Sequence, residues 1–550
     1  MNTNKTLKYW TPIIIAMVFV LGLLLGYWLN RGPKLTPGQQ KLNELLGIIS
    51  ENYVDSVDMD SVIERSLPAL LSSLDPHSVY IPRDEVELAN TELEGSFGGI
   101  GIQFQVFNDT VSIVEVIDHG PSQKVGVMPG DRIIAVDGKP FKVSEIGGED
   151  KIFSYLRGKK GTTVQLTVLR HGEKKPLTFT ITRGDIPMPS IEAAFMSDDR
   201  TGYVKVTKFA RNTYREFLNA MTRLHYDGAR DFIIDLRGNT GGFMEPAILM
   251  ANEFLGQGDV IVATRGRDPE LNEIVMSDGT GAFQNARLVV LIDEYSASAS
   301  EIFSGAVQDN DRGLIVGRRS FGKGLVQQQL TLDDGSQIRL TIQRYYTPAG
   351  RCIQKEYHSG DNDSYESEIY ERYLGGEFMN EDSIKVNKDL MFKTRGGRTV
   401  YGGGGIMPDV FVPNDTTGIT NYYMQVAQSG LLQKFAYEYV DLNRQSLSKA
   451  KDVKSLLRLI PSDNILLNSF VDYAARRGGI KKRWYYINQS GPLIVTQLKA
   501  FIARNMLGVP AYYEVMNTLD KNVERALKGL AEGQADFPVR PIAKQPAKNK

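Results

Sequence analysis

Three patterns of apolar and polar positions divide the chain. The first is an unbroken apolar run at 12–29, free of charge and dominated by Ile, Leu, Val and Phe. Its length just suffices to span a bilayer as a helix. Lys5 and Lys8 precede it, Arg31 and Lys34 follow it, and no small-x-small cleavage site or lipid-accepting cysteine comes after. The run therefore predicts an uncleaved signal anchor rather than a removed signal peptide, with a short cytoplasmic tail at 1–11 and Trp10, Tyr27 and Trp28 at the interfaces. The second pattern is period-two alternation. Short stretches at 111–116, 132–136, 164–169 and 177–181 read as strands, with turns at Pro129-Gly130 and Asp137-Gly138 and one short helix near 150–156. They predict a β-rich module over 95–184.

The third pattern is strands alternating with helices. Strands are predicted at 202–209, 232–236, 260–264, 288–293 and 314–317, and helices at 213–224, 245–255 and 299–308. A hairpin at 325–332 and 337–346 turns around Asp333-Asp-Gly-Ser336. This alternation defines an α/β domain. Residues 36–94 read as mostly helical and contain Leu74-Asp-Pro-His-Ser78. Residues 358–401 are polar and poor in aliphatics, and read as a surface insertion. Gly402-Gly-Gly-Gly-Ile-Met-Pro-Asp-Val-Phe411 returns to ordered chain, 416–537 reads as helical, and 538–550 reads as disordered. No internal repeat is visible.

Composition narrows the function. A net charge of −1 offers no basic excess for nucleic acid. The lone Cys352 excludes an internal disulfide framework and a multi-cysteine metal site. The five histidines, His77, His119, His171, His225 and His358, form no H-E-x-x-H pair, so zinc-protease chemistry is not expected. No metal or cofactor is predicted.

The candidate chemistry lies in two segments. Leu288-Val-Val-Leu-Ile-Asp-Glu-Tyr-Ser-Ala-Ser-Ala-Ser-Glu301 is a buried strand that ends in small residues and opens a helix at Ser298. Ser298-x-x-Glu301 fits a capping box. The same place presents a hydroxyl beside free backbone N–H groups at the positive end of a helix, where the oxyanion formed by attack on a carbonyl is stabilised. Ala299 N–H is the first such donor. Asp235-Leu-Arg-Gly-Asn-Thr-Gly-Gly242 is the second donor loop, through either Gly241 or Gly242. Lys323 follows Ser298 by 25 residues and stands between two glycines. Burial disfavours its ammonium form and makes it a base without histidine. On a following strand Gln327 shares its face and is placed to orient the amine, and Gln329 shares that face too. Gly317-x-x-x-x-Gly322-Lys323 also matches a phosphate loop up to its last position, where Gly324 stands in place of Ser or Thr and a strand pattern follows in place of a helix.

Taken together, Ser-Ala-Ser-Ala-Ser-Glu301 and Phe321-Gly-Lys-Gly324, with Leu74-Asp-Pro-His-Ser78, Asp235-Leu-Arg-Gly-Asn239, Thr347-Pro-Ala-Gly-Arg351 and the 404–410 segment, resemble the carboxyl-terminal processing (tail-specific) proteases. The likeness covers about residues 40–415. It implies an α/β protease core of crotonase/Clp-protease-like β–α units at 185–357, closed by 402–415, with a PDZ domain inserted at 95–184. It implies Ser298 as nucleophile, Lys323 as base, Gln327 as its positioning residue, and Ala299 with the Gly241/Gly242 pair as oxyanion hole. Gly98, Gly99, Ile100, Gly101 and Ile102 would form the PDZ carboxylate loop, where an extended protein tail adds to a sheet edge. Ile100 and Ile102 suggest apolar tails. The expected partners are proteins with accessible apolar C-termini, and also a second copy or an activating partner. With the apolar run, the likeness places the chain in a bacterial inner membrane, single-pass, with the catalytic part in the periplasm. Histidine catalysis by His77 is not expected, because its motif lies in the helical N-terminal part. A PDZ scaffold that binds tails without cutting is the alternative, and the intact Ser298, Lys323 and Gln327 set opposes it.

Overall fold

The computed structural model describes residues 4–29, 35–107, 109–117, 119–170 and 172–537. The expected disordered tail at 538–550 lies outside them, as does the start of the expected 1–11 tail. Residues 1–71 form a unit of their own. It carries the helices Asn4–Leu29 and Pro37–Asn52, the latter opened by a capping box in which Thr36 Oγ1 accepts from Gln39 N–H and Gln39 caps Thr36 in return. Among the described residues no helix is long and apolar enough to cross a membrane. The expected single-pass anchor at 12–29 is therefore corrected, and with it the inner-membrane and periplasmic placement.

In the second unit, residues 72–550, a six-stranded sheet positions the site. Its order is Ile191–Met196, Thr201–Val206, Asp231–Asp235, Arg287–Ile292, Leu314–Gly317 and Val410–Phe411. The first pair is antiparallel and the others are parallel. The middle strands are buried on both faces, which is why they read as continuous apolar runs rather than alternations. Helices Thr213–Tyr226, Met244–Asn252 and Ala299–Asp309 fill one face, with Phe217, Phe254 and Phe303 among them. The other face is covered by the helix Lys521–Ala531, whose Val523, Ala526 and Leu530 pack on Tyr203, Ile233, Val289 and Leu291. The far C-terminus thus completes the core. Six preceding helices, Asn421–Gln428 to Val509–Met516, enclose an apolar core of their own.

A second sheet pairs the hairpin Leu325–Thr331/Gln337–Tyr346 with Val260–Gly266 and Val79–Ile81. The β-rich module has strands Ile102–Phe107, Thr110–Val116, Arg132–Val136, Thr163–Leu169 and Leu177–Thr182 in that spatial order, with helix Glu149–Leu156. The chain enters and leaves it through one antiparallel ribbon, Ser96–Gly99 paired with Gly184–Pro187. The polar stretch 358–401 is less superficial than its composition suggests. Its helix Asn362–Leu374 buries Tyr365 and Arg372, and Arg372 donates to the Ser320 and Arg319 carbonyls at 3.1 and 2.8 Å. Polar residues go inside here because each finds a partner.

Because Leu530 is 3% exposed within this core, Leu530→Ala is expected to cost about 2–5 kcal/mol in denaturant unfolding. Lys528→Ala, on the exposed side of the same helix, should stay within about 0.5 kcal/mol.

Candidate active site

The strand Arg287–Ile292 ends in a turn held by Asp293, whose carboxylate accepts from the N–H groups of Tyr295 and Ser296 at 3.1 Å each and of Gly238 at 2.9 Å. The chain then reaches Ser298, with φ 54° and ψ −112°, before entering the helix Ala299–Asp309. A non-glycine residue held there costs about 1–3 kcal/mol and persists only where its surroundings enforce it. The enforcement comes from Glu301. This fully buried carboxylate accepts from Ser298 N–H at 2.8 Å, Gly322 N–H at 2.7 Å, Lys323 N–H at 2.9 Å and the Ser320 hydroxyl. Burial pushes its pKa up to about 7 against the pull of those donors. The tyrosine ring of Tyr345 backs the turn, and its hydroxyl donates to the carbonyls of Ser298, at 3.1 Å, and of Lys323.

Lys323 shares a cavity of about 370 Å³ with Ser298, Gln327, Gly241 and Gly242. Its Nζ donates to Gln327 Oε1 at 3.2 Å, and Gln327 Nε2 donates to the His77 carbonyl. Gln329 instead bonds Asn90 and Gln337, so the structure separates two glutamines that spacing left equivalent. Burial, aided by the Arg339 charge, holds the Lys323 amine below the ordinary lysine range, although Glu301 and Asp75 oppose it. A strand, not a helix, follows Lys323, so the phosphate-loop spacing builds no helix N-terminus for a phosphate.

The Asp235–Gly242 loop lies against the serine turn. Asn239 O accepts from Ala297 N–H at 3.0 Å and from Ser300 Oγ at 2.8 Å. Gly241 N–H donates to Asn239 Oδ1 at 2.9 Å. Below the loop, the buried Asp235 carboxylate joins Tyr203, Lys205 and Arg237, and Arg237 reaches Asp520 at 2.8 Å.

Residues 98–102 lie in the β-rich module and are not among the residues lining that cavity. They lead from the ribbon into Ile102–Phe107, an edge strand. Ile100 is buried in the module core and its carbonyl accepts from Ser122 N–H at 3.0 Å, so its side chain is committed to packing. Nearby, Gly158 N–H donates to Gly98 O at 3.1 Å, and the Arg157 guanidinium stacks on Phe97 and Phe153 at 4.3 and 4.6 Å. Arg157 Nε is buried with no hydrogen-bond partner among the described residues. The His77 ring is engaged elsewhere: its Nε2 shares a hydrogen bond with Tyr365 OH at 2.8 Å, and burial, with Lys323 and Lys355 nearby, pushes its pKa down to about 3. Glu301, Tyr345, Arg339, Tyr365 and Arg157 were not legible as site residues. Only Glu301 left a signal, as the partner in a capping box.

Family models match three stretches of the chain: Peptidase family S41 at 200–362, a PDZ domain at 98–182, and a family of unknown function (DUF8443) at 422–508. Those matches make the α/β unit a peptidase of family S41 that carries a PDZ domain. The carboxy-terminal-processing protease of Bartonella bacilliformis is 34% identical over 322 residues, which is 57% of this chain and 72% of that one. The carboxy-terminal processing protease CtpA of Bacillus subtilis is 32% identical over 317 residues, covering 58% and 66%. Among solved structures, the photosystem II D1 C-terminal processing protease is 26% identical, covers 60% of this chain and 93% of its own, and gives a TM-score of 0.33. The chain belongs to the carboxy-terminal processing proteases of Peptidase family S41.

A Cβ on Gly241 would lie 2.8 Å from Ser298 Cβ and 2.8 Å from the Ala297 carbonyl, at a φ of +105°. Gly241→Ala must therefore displace the serine turn. Turnover is expected to fall about 100-fold, the cost of misplacing a reacting group by ~1 Å, as measured by hydrolysis of a tail-bearing protein with far-UV circular dichroism unchanged.

Proposed function

We propose that this protein is an endopeptidase that captures apolar protein C-termini with its PDZ module, over 95–184, and cuts near them by a Ser–Lys mechanism. The observation that carries this reading is the pairing of Lys323 Nζ with Gln327 Oε1 inside the cavity that Ser298 lines. A lysine is a useful base only when neutral, and its burial favours the neutral amine. Lys323 Nζ takes the Ser298 hydroxyl proton as Oγ attacks the scissile carbonyl. The resulting oxyanion faces Ala299 N–H and, because Gly241 N–H is engaged by Asn239, Gly242 N–H. Lys323 returns the proton to the departing amine, which leaves an acyl ester on Ser298. Water then attacks the ester, Lys323 accepts its proton, and the new carboxylate departs as Oγ is reprotonated.

The edge strand Ile102–Phe107 offers the backbone groups an extended tail needs, and the Arg157 guanidinium, whose Nε has no hydrogen-bond partner among the described residues, supplies a cation near residues 98–102 for its terminal carboxylate. The scheme uses no metal, nucleotide or nucleic acid.

The test is incubation of the full chain with a loosely folded protein ending in apolar residues, with products read by intact mass. The parent should cleave it, with or without chelator, and Ser298→Ala and Lys323→Ala should not. Cleavage that survives both changes refutes the assignment. Binding that needs the free terminal carboxylate, without cleavage by the parent, establishes the scaffold alternative.

The pH profile gives a second check. The base must be deprotonated, so kcat should rise with pH through one ionisation lying below the ordinary lysine range. Arg339 disfavours the ammonium; removing it favours protonation, so Arg339→Gln should move that midpoint to higher pH.

A further inference from the structure

Past its first residue, the helix Asn362–Leu374 lies beyond the stretch that the Peptidase family S41 model matches, in the polar segment 358–401. It is nevertheless built into the back of the lysine. Asp361 caps its start through Ser364 N–H, at 3.2 Å. Arg372 fastens it to the carbonyls of Arg319 and Ser320, directly before the lysine loop. Its Tyr365 is 4% exposed. Lys355 Nζ donates to the Tyr365 carbonyl at 2.9 Å and sits 4.1 Å from the centres of both the Tyr365 and Phe321 rings, which fixes the ring plane.

The hydroxyl of Tyr365 meets two groups. Gln354 Nε2 donates to it at 3.3 Å, while Gln354 Oε1 accepts from Gly324 N–H at 2.8 Å, one residue past the lysine. Tyr365 OH and His77 Nε2 share a hydrogen bond of 2.8 Å, which forms with either tautomer of the neutral imidazole. Burial favours that neutral ring. The two rings also meet edge to face, with centroids 5.2 Å apart. His77 in turn places its carbonyl on Gln327 Nε2, and Gln327 Oε1 on Lys323 Nζ.

We infer that Tyr365 is a positioning residue for the general base: its hydroxyl fixes His77, whose carbonyl fixes the Gln327 amide, which aims the Lys323 amine at Ser298. This inference rests on the Ser–Lys reading above. It gives the inserted segment a part in catalysis, since without that segment the relay has no far end.

Tyr365→Phe keeps the ring and its packing and removes only the hydroxyl. Loss of one neutral hydrogen bond in the relay should lower kcat about fivefold with KM unchanged. The decisive comparison is a double-mutant cycle with Gln327→Ala, followed by single-turnover cleavage of the tail-bearing protein by the full chain. Once Gln327 is gone, Tyr365→Phe should cause no further loss. An equal fall in both backgrounds would show a general structural role and overturn the relay, as would an unchanged kcat in the parent background. Lys323→Ala, run alongside, separates the two levels. If it stays active, the Ser–Lys reading itself fails; if it is inactive while Tyr365→Phe is unaffected, only the relay fails.

Discussion

A single buried carboxylate holds the site together. Glu301 lies one helical turn inside the helix Ala299–Asp309, and its two oxygens receive donors from both segments, Ser298 on one side and Ser320, Gly322 and Lys323 on the other. Everything else about the site presupposes that junction. The unusual dihedrals of Ser298 leave its N–H facing inward, and only an acceptor there removes the cost of burying it. The lysine loop is glycine-flanked and has no regular structure of its own between Leu314–Gly317 and Leu325–Thr331, so its course is set by what its N–H groups find. Four donors surround the carboxylate and offset part, but not all, of the cost of burying its charge.

The same economy recurs at the edges of the core. Asp235 gathers Tyr203, Lys205 and Arg237 under the glycine loop, and the neighbouring charges hold its carboxyl below the usual carboxylate range despite complete burial. Asp309 closes the far end of the helix Ala299–Asp309 on the fully buried Arg351, at 2.7 Å. The Lys205–Asp235 and Arg351–Asp309 pairs tie segments distant in sequence, and each is worth little as attraction but much as a constraint, because removing one partner strands the other in a low dielectric. Through Arg237 and Asp520 the chain of constraint passes into the C-terminal region, so the glycine loop is held from both the sheet and the last helix.

Local chemistry was the legible part of the sequence. Ser298, Lys323 and Gln327 stand in short motifs whose strand or helix setting is set by adjacent residues, and the structure brings them to one cavity. The choice between Gly241 and Gly242 was open because it depends on the Asn239 side chain, which no spacing rule orients. The strand Ile191–Met196 carries too little alternation to announce itself. Tyr365 was hidden for a deeper reason: its segment is polar, and composition cannot tell a solvated face from a polar interior whose partners come from His77, Gln354 and Lys355. The apolar run near the N-terminus misled in the opposite sense, because hydrophobicity alone implied a membrane span that the described residues do not provide.

The ribbon that joins the module to the protease has a consequence for ancestry and engineering. Ser96 pairs directly with Pro187, so the points of entry and exit lie only one strand spacing apart, about 5 Å. A whole domain is thus spliced into the host where a tight turn would otherwise close a hairpin. Closing a loop costs only about 0.6 kcal/mol more for each doubling of its length, and a guest that folds by itself lessens even that. The entropic cost of carrying the module at this ribbon therefore depends only weakly on the module's size.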